Sequence, residues 1–134
     1  MTPDDLELIR GLYRAISSRD VAALQAFAEA NPDFEWQPAP DEPDPSVKRG
    51  RSRTLAYSQE LFETFETLES EVRDVLDLGP DAAIFLVHHR VRGAASGVEV
   101  ERSEAHLWTK RDGRLASLRE FPTLEEAREC APPS

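Results

Sequence analysis

The residues best suited to acid–base chemistry lie in the second half of the chain. His106 has Glu104 two positions before it, and Glu120 follows on a later segment. A histidine oriented by a carboxylate is the usual general base of enzymes. Residues two apart on one strand are separated by about 6–7 Å, so a direct contact requires long side chains. The pattern predicts either an acid–base pair or a buried histidine hydrogen-bonded to a neighbour.

Arginines near these residues could recognise an anion. Arg90, with Arg92 and Arg102, could bind a ligand carboxylate through paired hydrogen bonds. If the protein is an enzyme, Arg90 or His88 is the residue expected to stabilise an oxyanion. The favoured alternative is that these arginines form ion pairs across the strands, because opposite charges commonly pair there. The acidic partners would be Glu99, Glu101 or Glu104.

His88 and His89 suggest a metal site at first sight. Neighbouring residues of a strand point to opposite faces, so the two histidines cannot both bind one ion in regular strand geometry. The glycines at 93 and 97 join two strands and open no helix, which argues against a phosphate-binding loop. We therefore predict neither a metal nor another cofactor.

A β-sheet must position these side chains. Residues 82–91 form a β-branched and aromatic run bounded by glycine and proline, and residues 98–110 alternate in polarity. Asp112 and Gly113 favour a tight hairpin turn, so residues 114–121 should return antiparallel. Residues 68–78 are a further predicted strand.

Alternation along these strands predicts two faces. Arg102, Glu104, His106 and Trp108 share one face of their strand, and in one of the two possible phases this face lines a pocket. That phase also turns inward Ile84, Leu86, His88 and Arg90 from the preceding strand, and Ala116, Leu118 and Glu120 from the following one. A slip of one residue would exchange the faces.

The opposite face would then be apolar and exposed. It would carry Phe85, Val87, Val91, Ala105, Leu107, Leu115 and Phe121. Such patches usually mark interfaces, and twofold dimers are the commonest oligomers. We therefore predict a homodimer through this face.

Helices are predicted ahead of the sheet. They start at Thr2, Asp20 and about Ser52, where cap residues or helical spacing of apolar residues begin. Thr123 begins a short terminal helix. The four prolines of residues 38–45 and the basic residues 48–53 form a loop, either solvated with local charge compensation or acting as a lid. Helices grouped ahead of an antiparallel sheet indicate an α+β fold.

Composition limits the partners. The 134 residues predict one domain over residues 1–134. The net charge of −10 argues against binding to nucleic acid or to an anionic membrane. A single cysteine, the lack of a signal-peptide pattern and the lack of a spanning apolar run predict a cytoplasmic protein.

Several motifs resemble those of the SnoaL-like branch of the nuclear transport factor 2-like (NTF2-like) superfamily. They are Tyr13 with Ala15 and Ile16, Asp20, Phe34 to Trp36, Gly50 with Arg51, residues 106–113, and Glu125 to Ala127. The resemblance implies a cone-shaped, cystatin-like α+β fold, in which a curved antiparallel sheet and three N-terminal-half helices enclose an apolar pocket. Proteins of this fold include polyketide cyclases, ketosteroid isomerases, epoxide hydrolases, dehydratases and non-enzymatic binders.

The resemblance also assigns positions. The acid of the ketosteroid isomerases falls on or near His106 and the following aromatic residue on Trp108, so the resemblance implies the phase in which both side chains face the pocket. Their general base falls near Trp36 or Gln37, and neither side chain accepts a proton usefully. Ketosteroid isomerase chemistry is therefore not predicted for this chain.

We predict a protein that binds a small apolar or amphipathic molecule in a mostly apolar pocket. Its ligand-binding residues would be Tyr13, Trp36, Phe62, Phe65, Leu86, His88, His106, Trp108 and Leu118. One alternative is a cyclase-, isomerase- or hydrolase-type enzyme. Its catalytic residues would be His106, Glu104, Glu120 and Arg90. A second alternative is a non-catalytic structural or regulatory dimer.

Overall fold

Four helices and six strands make up residues 1–132, the part of the chain that the computed structural model describes. The helices are α1 Pro3–Ser18, α2 Val21–Ala30, α3 Gly50–Thr64 and α4 Leu124–Cys130. The strands are β1 Glu35–Gln37, β2 Lys48–Arg49, β3 Phe65–Asp77, β4 Ala82–Gly93, β5 Glu99–Arg111 and β6 Arg114–Phe121. No helix among these residues is long and apolar enough to cross a membrane.

The predicted helix starts are confirmed by side-chain caps. Thr2 accepts a hydrogen bond from the backbone of Asp5, the Asp5 side chain accepts one from the backbone of Thr2, and Pro3 begins α1. Asp20 caps α2 through Ala23. These caps satisfy backbone N–H groups that have no partner within the first turn. Helix α3 starts two residues earlier than predicted and ends at Thr64, where β3 begins directly.

The six strands form one curved, open sheet in the order β2-β1-β6-β5-β4-β3. All neighbouring pairs are antiparallel except β1 and β6, which pair in parallel. Strand β2 was predicted as part of a basic loop; its two residues pair with Glu35 and Trp36. The predicted α+β fold with three helices ahead of the long strands is confirmed.

The register of β4 against β5 decides which side chains share a face. Phe85 lies opposite His106, and His89 lies opposite Arg102. Directly opposed residues of an antiparallel pair point to the same side, so odd-numbered residues of β4 share a face with even-numbered residues of β5. We call this the inner face, because it carries the apolar cluster that packs against α1, α2 and α3. The predicted inward phase of β4 is therefore wrong, whereas that of β5 is correct.

The outer face carries a separate apolar cluster of Ala82, Ile84, Ala105, Leu107 and Ala127, with Leu86 and Phe121 packed against it. Ala127 belongs to α4, so the terminal helix covers this cluster. Phe85, Val87 and Val91 lie instead on the inner face. Leu115 also joins the inner cluster, because the β5–β6 register shifts between Thr109 and Lys110. Four residues of the predicted exposed patch, Phe85, Val87, Val91 and Leu115, thus lie on the inner face instead. The homodimer through the outer face stays a prediction.

Candidate functional site

A cavity of about 300 Å³ lies between the inner face and the three helices that precede the long strands. Its aliphatic and aromatic walls come from Leu12, Tyr13, Ile16, Leu24, Phe27, Phe34, Trp36, Tyr57, Leu61, Phe65, Leu68, Val91, Val100, Trp108 and Leu118. Its polar lining comes from Asp41, Glu42, Thr54, Ser58, Ser70, His89, Arg102, Glu104, His106 and Glu120. The cavity is therefore apolar over most of its wall and polar along β5 and its neighbours.

Five of the apolar residues predicted to bind a ligand line this cavity. They are Tyr13, Trp36, Phe65, Trp108 and Leu118. Aromatic contacts hold several of them in place: the ring of Trp36 meets Tyr57 edge-on at 4.8 Å, and Tyr13 meets Trp108 edge-on at 6.0 Å. Such pairs fix ring orientation in addition to burying apolar area.

A chain of buried hydrogen bonds runs from Trp108 to Glu104. The indole Nε1 of Trp108 donates to the hydroxyl of Tyr13 at 2.9 Å, and that hydroxyl lies 2.6 Å from Nδ1 of His106. Nε2 of His106 lies 2.9 Å from Oε1 of Glu104. Because Oε1 can only accept, we assign the histidine proton to Nε2, which makes Tyr13 the donor to Nδ1.

His106 is 1% exposed, and both of its ring nitrogens are engaged. Burial lowers the pKa of His106, against the opposing effect of the Glu104 carboxylate. Burial likewise raises the pKa of the Tyr13 hydroxyl well above its ordinary value. In this geometry His106 is held as a neutral, hydrogen-bonded imidazole. The arrangement matches the alternative expectation of a buried histidine satisfied by its neighbours.

Glu104 is the carboxylate on which the polar groups of β4 and β5 converge. Its Oε1 is hydrogen-bonded to Nε2 of His106 at 2.9 Å and to Nε2 of His89 at 3.0 Å. Its Oε2 lies 2.7 Å from Nη2 of Arg102. Burial alone would raise the pKa of Glu104, but the hydrogen bonds from the two histidines outweigh it and hold that pKa well below its usual range. Glu104 is thus ionised across the neutral pH range.

Glu120 is a carboxyl group of the opposite character. Trp36 Nε1 donates to its Oε2 at 2.8 Å, and the backbone N–H of Ala39 donates to its Oε1 at 3.3 Å. Burial raises the pKa of Glu120 to about 8, and the negative charge of Glu104 adds to the effect. The Glu120 side chain is half-buried, because part of its surface faces the cavity. Glu120 is therefore largely protonated at neutral pH.

The loop of residues 38–47 forms the charged side of the cavity. Asp41 and Glu42 lie 2.8 Å and 3.7 Å from the guanidinium nitrogens of Arg102. The loop is anchored by Lys48, whose buried Nζ donates to the backbone oxygen of Asp44 and lies 4.9 Å above the ring of Tyr57. The basic and acidic residues thus compensate each other locally, and Asp41 and Glu42 also face the cavity.

Four predicted site residues lie elsewhere. Leu86 packs into the outer cluster. Arg90 pairs with Glu99 and Glu101 on the outer face, at 3.4 Å and 3.2 Å, as the cross-strand alternative predicted. His88 also lies on that face, with its partners Ser103 and Glu101. The ring of Phe62 packs against the apolar core beneath the guanidinium of Arg19 and is not among the lining residues.

His89 is the residue whose place sequence reasoning missed. It lies on the cavity side of β4, and its Nδ1 is 2.8 Å from the hydroxyl of Ser70. His89, Glu104 and His106 bring three potential metal-ligand atoms within 4.8 Å of one another. The parity of the β4–β5 pairing was the signal that would have found His89.

Comparison with known proteins decides the family. A model described as a SnoaL-like domain matches residues 9–118, which is most of the chain. The chain belongs to the SnoaL-like domain family. No curated protein sequence matches this SnoaL-like domain.

Solved structures share the fold of this SnoaL-like domain at low identity. An NTF2-like protein of unknown function from Burkholderia pseudomallei K96243 has a TM-score of 0.76 and 17% identity, over 96% of this chain and 97% of that one. A candidate SnoaL-like polyketide cyclase from Jannaschia sp. CCS1 has a TM-score of 0.73 and 20% identity, over 99% and 98%. A Mycobacterium tuberculosis protein in complex with estradiol-17β-hemisuccinate has a TM-score of 0.74 and 15% identity, over 90% and 94%. At these identities the likeness establishes the fold.

Proposed function

We propose that this SnoaL-like domain binds a small, mostly apolar molecule in the cavity, with a hydrogen-bond acceptor of that molecule directed at Glu120. The observation that carries the proposal is the Glu120 carboxyl group, which is held by Trp36 in a wall made mostly of aliphatic and aromatic side chains. Ligand pockets are usually apolar, and a few convergent polar groups fix the orientation of the ligand.

Glu120 can donate a hydrogen bond because its neighbours leave its proton free. Trp36 and Ala39 both donate to its oxygens, so they occupy acceptor positions of the carboxyl group. With the pKa of Glu120 raised to about 8, the neutral acid retains one O–H donor. A carbonyl or ether oxygen of the ligand would accept it.

The size of the cavity favours a compact ring system. Ligand sites usually measure about 300–1,000 Å³, and this cavity lies at the lower end of that range. Its aromatic lining residues could stack on a flat ring or meet it edge-on. The M. tuberculosis neighbour was crystallised with a steroid ester, which likewise combines an apolar ring system with a polar end.

Titration with Prodan tests the binding proposal. Prodan is a naphthalene ketone whose fluorescence shifts to the blue in apolar surroundings. We expect a saturable blue shift with a dissociation constant of about 10 µM. The variant Ser58→Trp, which places an indole inside the cavity, should lose this binding.

Ser103→Trp is the matched control, because Ser103 is exposed on the outer face beside His88. It should bind Prodan as the unmodified protein does. Circular dichroism must show that Ser58→Trp is folded, and the smaller change Leu61→Phe provides a second way to reduce the cavity. If folded Ser58→Trp and Leu61→Phe both bind Prodan with unchanged affinity, the cavity is not the binding site.

A second candidate function is acid–base catalysis on an enolisable carbonyl compound. The observation that favours it is a second carboxyl group, Glu42, which lines the same cavity and pairs with Arg102 at 3.7 Å. Glu120 would donate to the carbonyl oxygen while Glu42 accepts the proton from carbon. His106, the base expected from the sequence, has both ring nitrogens occupied.

Deuterium exchange of β-tetralone in D2O, followed by NMR, tests this second function. The protein should accelerate exchange at the carbon between the ring and the carbonyl group. Glu120→Gln should reduce that acceleration at least about a hundredfold while Prodan still binds, because positioned acid–base groups contribute about 10² to 10⁴. Glu129→Gln, at an exposed position of α4, is the control. An exchange rate equal to that in buffer would remove the catalytic proposal and leave the binding proposal standing.

A further inference from the structure

The ligand atoms of two histidines and one glutamate converge on the inner face, at the wall of the cavity. Nε2 of His89 lies 3.0 Å from Oε1 of Glu104, and Nε2 of His106 lies 2.9 Å from the same oxygen. We propose that His89, Glu104 and His106 bind one divalent transition-metal ion such as Zn²⁺. The proposal is independent of the function proposed above.

The spacing of the three atoms suits a metal of this size. Zinc lies about 2.0–2.2 Å from nitrogen and oxygen ligands in tetrahedral geometry, which places neighbouring ligand atoms roughly 3.3 Å apart. The two contacts to Glu104 are within a few tenths of an ångström of that spacing, and all three atoms lie within 4.8 Å. Small rotations of the imidazole rings would complete the geometry.

Both histidines are already oriented by partners at their other nitrogen. Nδ1 of His89 contacts the hydroxyl of Ser70 at 2.8 Å, and Nδ1 of His106 contacts the hydroxyl of Tyr13 at 2.6 Å. Metal-binding histidines commonly have such outer partners, which fix the ring and the tautomer. In each ring the nitrogen left to bind a metal is therefore Nε2, which contacts Oε1 of Glu104 in this structure.

One carboxylate oxygen of Glu104 is placed to bind a metal ion, and the other lies beside Arg102. Its Oε1 faces the two histidines, while its Oε2 lies 2.7 Å from Arg102. Among the described residues Oε2 receives no contact with hydrogen-bond geometry, so the carboxylate retains acceptor capacity. Carboxylates that bind metals commonly have outer polar partners, and Arg102 lies where it could be one for Glu104.

The local charge balance favours a cation. Arg102 is the positive group near the cluster, and it faces three carboxylates: Asp41 at 2.8 Å, Glu42 at 3.7 Å and Glu104 at 2.7 Å. The side chains around the three ligand atoms therefore place three carboxylates beside one guanidinium. A divalent ion would compensate this excess of negative charge.

Binding requires that the imidazole protons change nitrogen and that the hydroxyl groups beside them turn their own hydrogens away from Nδ1. Without metal, Nε2 of His106 carries the proton that Glu104 accepts. With metal on Nε2, the proton moves to Nδ1 and is donated to the oxygen of Tyr13, so none is lost from the ring. The same exchange applies to His89 and Ser70.

The donor set leaves room for a further ligand. Two histidines and one glutamate are the protein ligands of one class of catalytic zinc sites, in which water or substrate takes the fourth position. All three residues line the cavity. The fourth position would therefore face the cavity.

Isothermal titration with Zn²⁺ at neutral pH tests the proposal, using the full chain dialysed against EDTA. The background variant Cys130→Ser removes the exposed thiol as a competing ligand. We expect one Zn²⁺ per chain with a dissociation constant of about 10 µM or tighter. Co²⁺ should give the visible absorption of tetrahedral cobalt at the same stoichiometry.

His89→Ala should weaken Zn²⁺ binding at least about tenfold and abolish the cobalt band. His88→Ala is the matched control, since it removes the neighbouring histidine on the outer face, and it should bind as the parent does. If His89→Ala proves unfolded, Ser70→Ala, which removes only the outer partner of His89, should weaken binding several-fold. No binding up to about 1 mM by the folded parent, or equal losses in His88→Ala and His89→Ala, would overturn the site.

Discussion

The indole Nε1 of Trp36 donates a 2.8 Å hydrogen bond to Oε2 of Glu120, 84 positions further along the chain. This bond joins the short strand β1 to β6, the strand with which it pairs in parallel. It also places one carboxyl group of the sheet inside a largely apolar cavity. The chemical state of Glu120 is therefore linked to the folding of the whole chain.

The variant Glu120→Gln should change how stability depends on pH. The pKa of Glu120 is about 8 in the folded protein, above the ordinary value of 4.5. Because the pKa of Glu120 is raised in the folded state, the protonated carboxyl group makes its full contribution to stability below about pH 4.5. That contribution is lost as the pH rises to about 8. Glu120→Gln, which does not titrate, should gain about 2–3 kcal/mol relative to the unmodified protein between pH 5 and pH 8, allowing for partial exposure to the cavity.

Urea unfolding at the two pH values measures this difference. Glu129→Gln, on the exposed side of α4, should show a constant offset from the unmodified protein. A constant offset for Glu120→Gln as well would mean that the Glu120 carboxyl group titrates normally in the folded state.

Tyr13→Phe should destabilise the protein by about 1–3 kcal/mol. The change removes the hydroxyl that accepts from Trp108 and contacts His106, so two buried polar groups lose a partner. Tyr57→Phe makes the same chemical change at a buried tyrosine whose hydroxyl makes no hydrogen bond within residues 1–132, and it should cost less than about 0.5 kcal/mol. Thermal unfolding of both variants provides the comparison, and equal losses would contradict the assigned network.

Arg102→Ala and Arg90→Ala should differ although both remove an arginine that pairs with glutamate. Arg102 contacts the buried Glu104 and two acids of the loop, and its removal should cost about 1–3 kcal/mol. Arg90 pairs with exposed glutamates on the outer face, where ion pairs contribute about 0–1 kcal/mol. Equilibrium unfolding in urea distinguishes them. A larger loss for Arg90→Ala would contradict the assignment of faces.

Lys48→Met should loosen the loop of residues 38–47 without unfolding the domain. Methionine fills the buried space next to Tyr57 but cannot donate to Asp44 or Ser46. Hydrogen exchange of the Glu42 amide, which donates to the carbonyl of Ala39 within the loop, should become about fivefold faster, as expected for a local loss of about 1 kcal/mol. Lys110→Met, which removes the ion pair with Asp5 outside the loop, should leave exchange at Glu42 unchanged. Equal rates for both variants would show that Lys48 does not anchor the loop.

Local patterns were sufficient to predict most elements of the fold. The caps at Thr2 and Asp20 and the turn at Asp112 depend on neighbouring residues alone. These signals are contained within short segments. The inward phase of β5 was implied instead by the family resemblance, which places His106 and Trp108 in the pocket, where the structure has them.

The phase of β4 could not be predicted in the same way. Both faces of this strand are buried at its start, with Ile84 and Phe85 in different apolar clusters, so alternation in polarity is missing there. Its phase follows from pairing with β5, which local composition does not determine. For the same reason the sequence did not indicate that His89 lines the cavity, and the prediction that Arg90 and His88 lie in the pocket was wrong.

The contact between Trp36 and Glu120 was also beyond sequence reasoning. It depends on the parallel pairing of a three-residue strand with β6. The alternation of residues 33–36 predicted a strand but named no partner. Long-range pairing of so short a segment is determined by the surrounding helices and loop.

The ion pairs of Arg102 with Asp41 and Glu42 have a consequence for kinetics. Asp41 is largely exposed, and these pairs connect the loop to β5 by charge at the wall of the cavity. Salt screens exposed charges strongly and apolar packing hardly at all. Exchange of molecules between the cavity and the solvent should therefore become faster as the ionic strength rises, while the folded core keeps its stability.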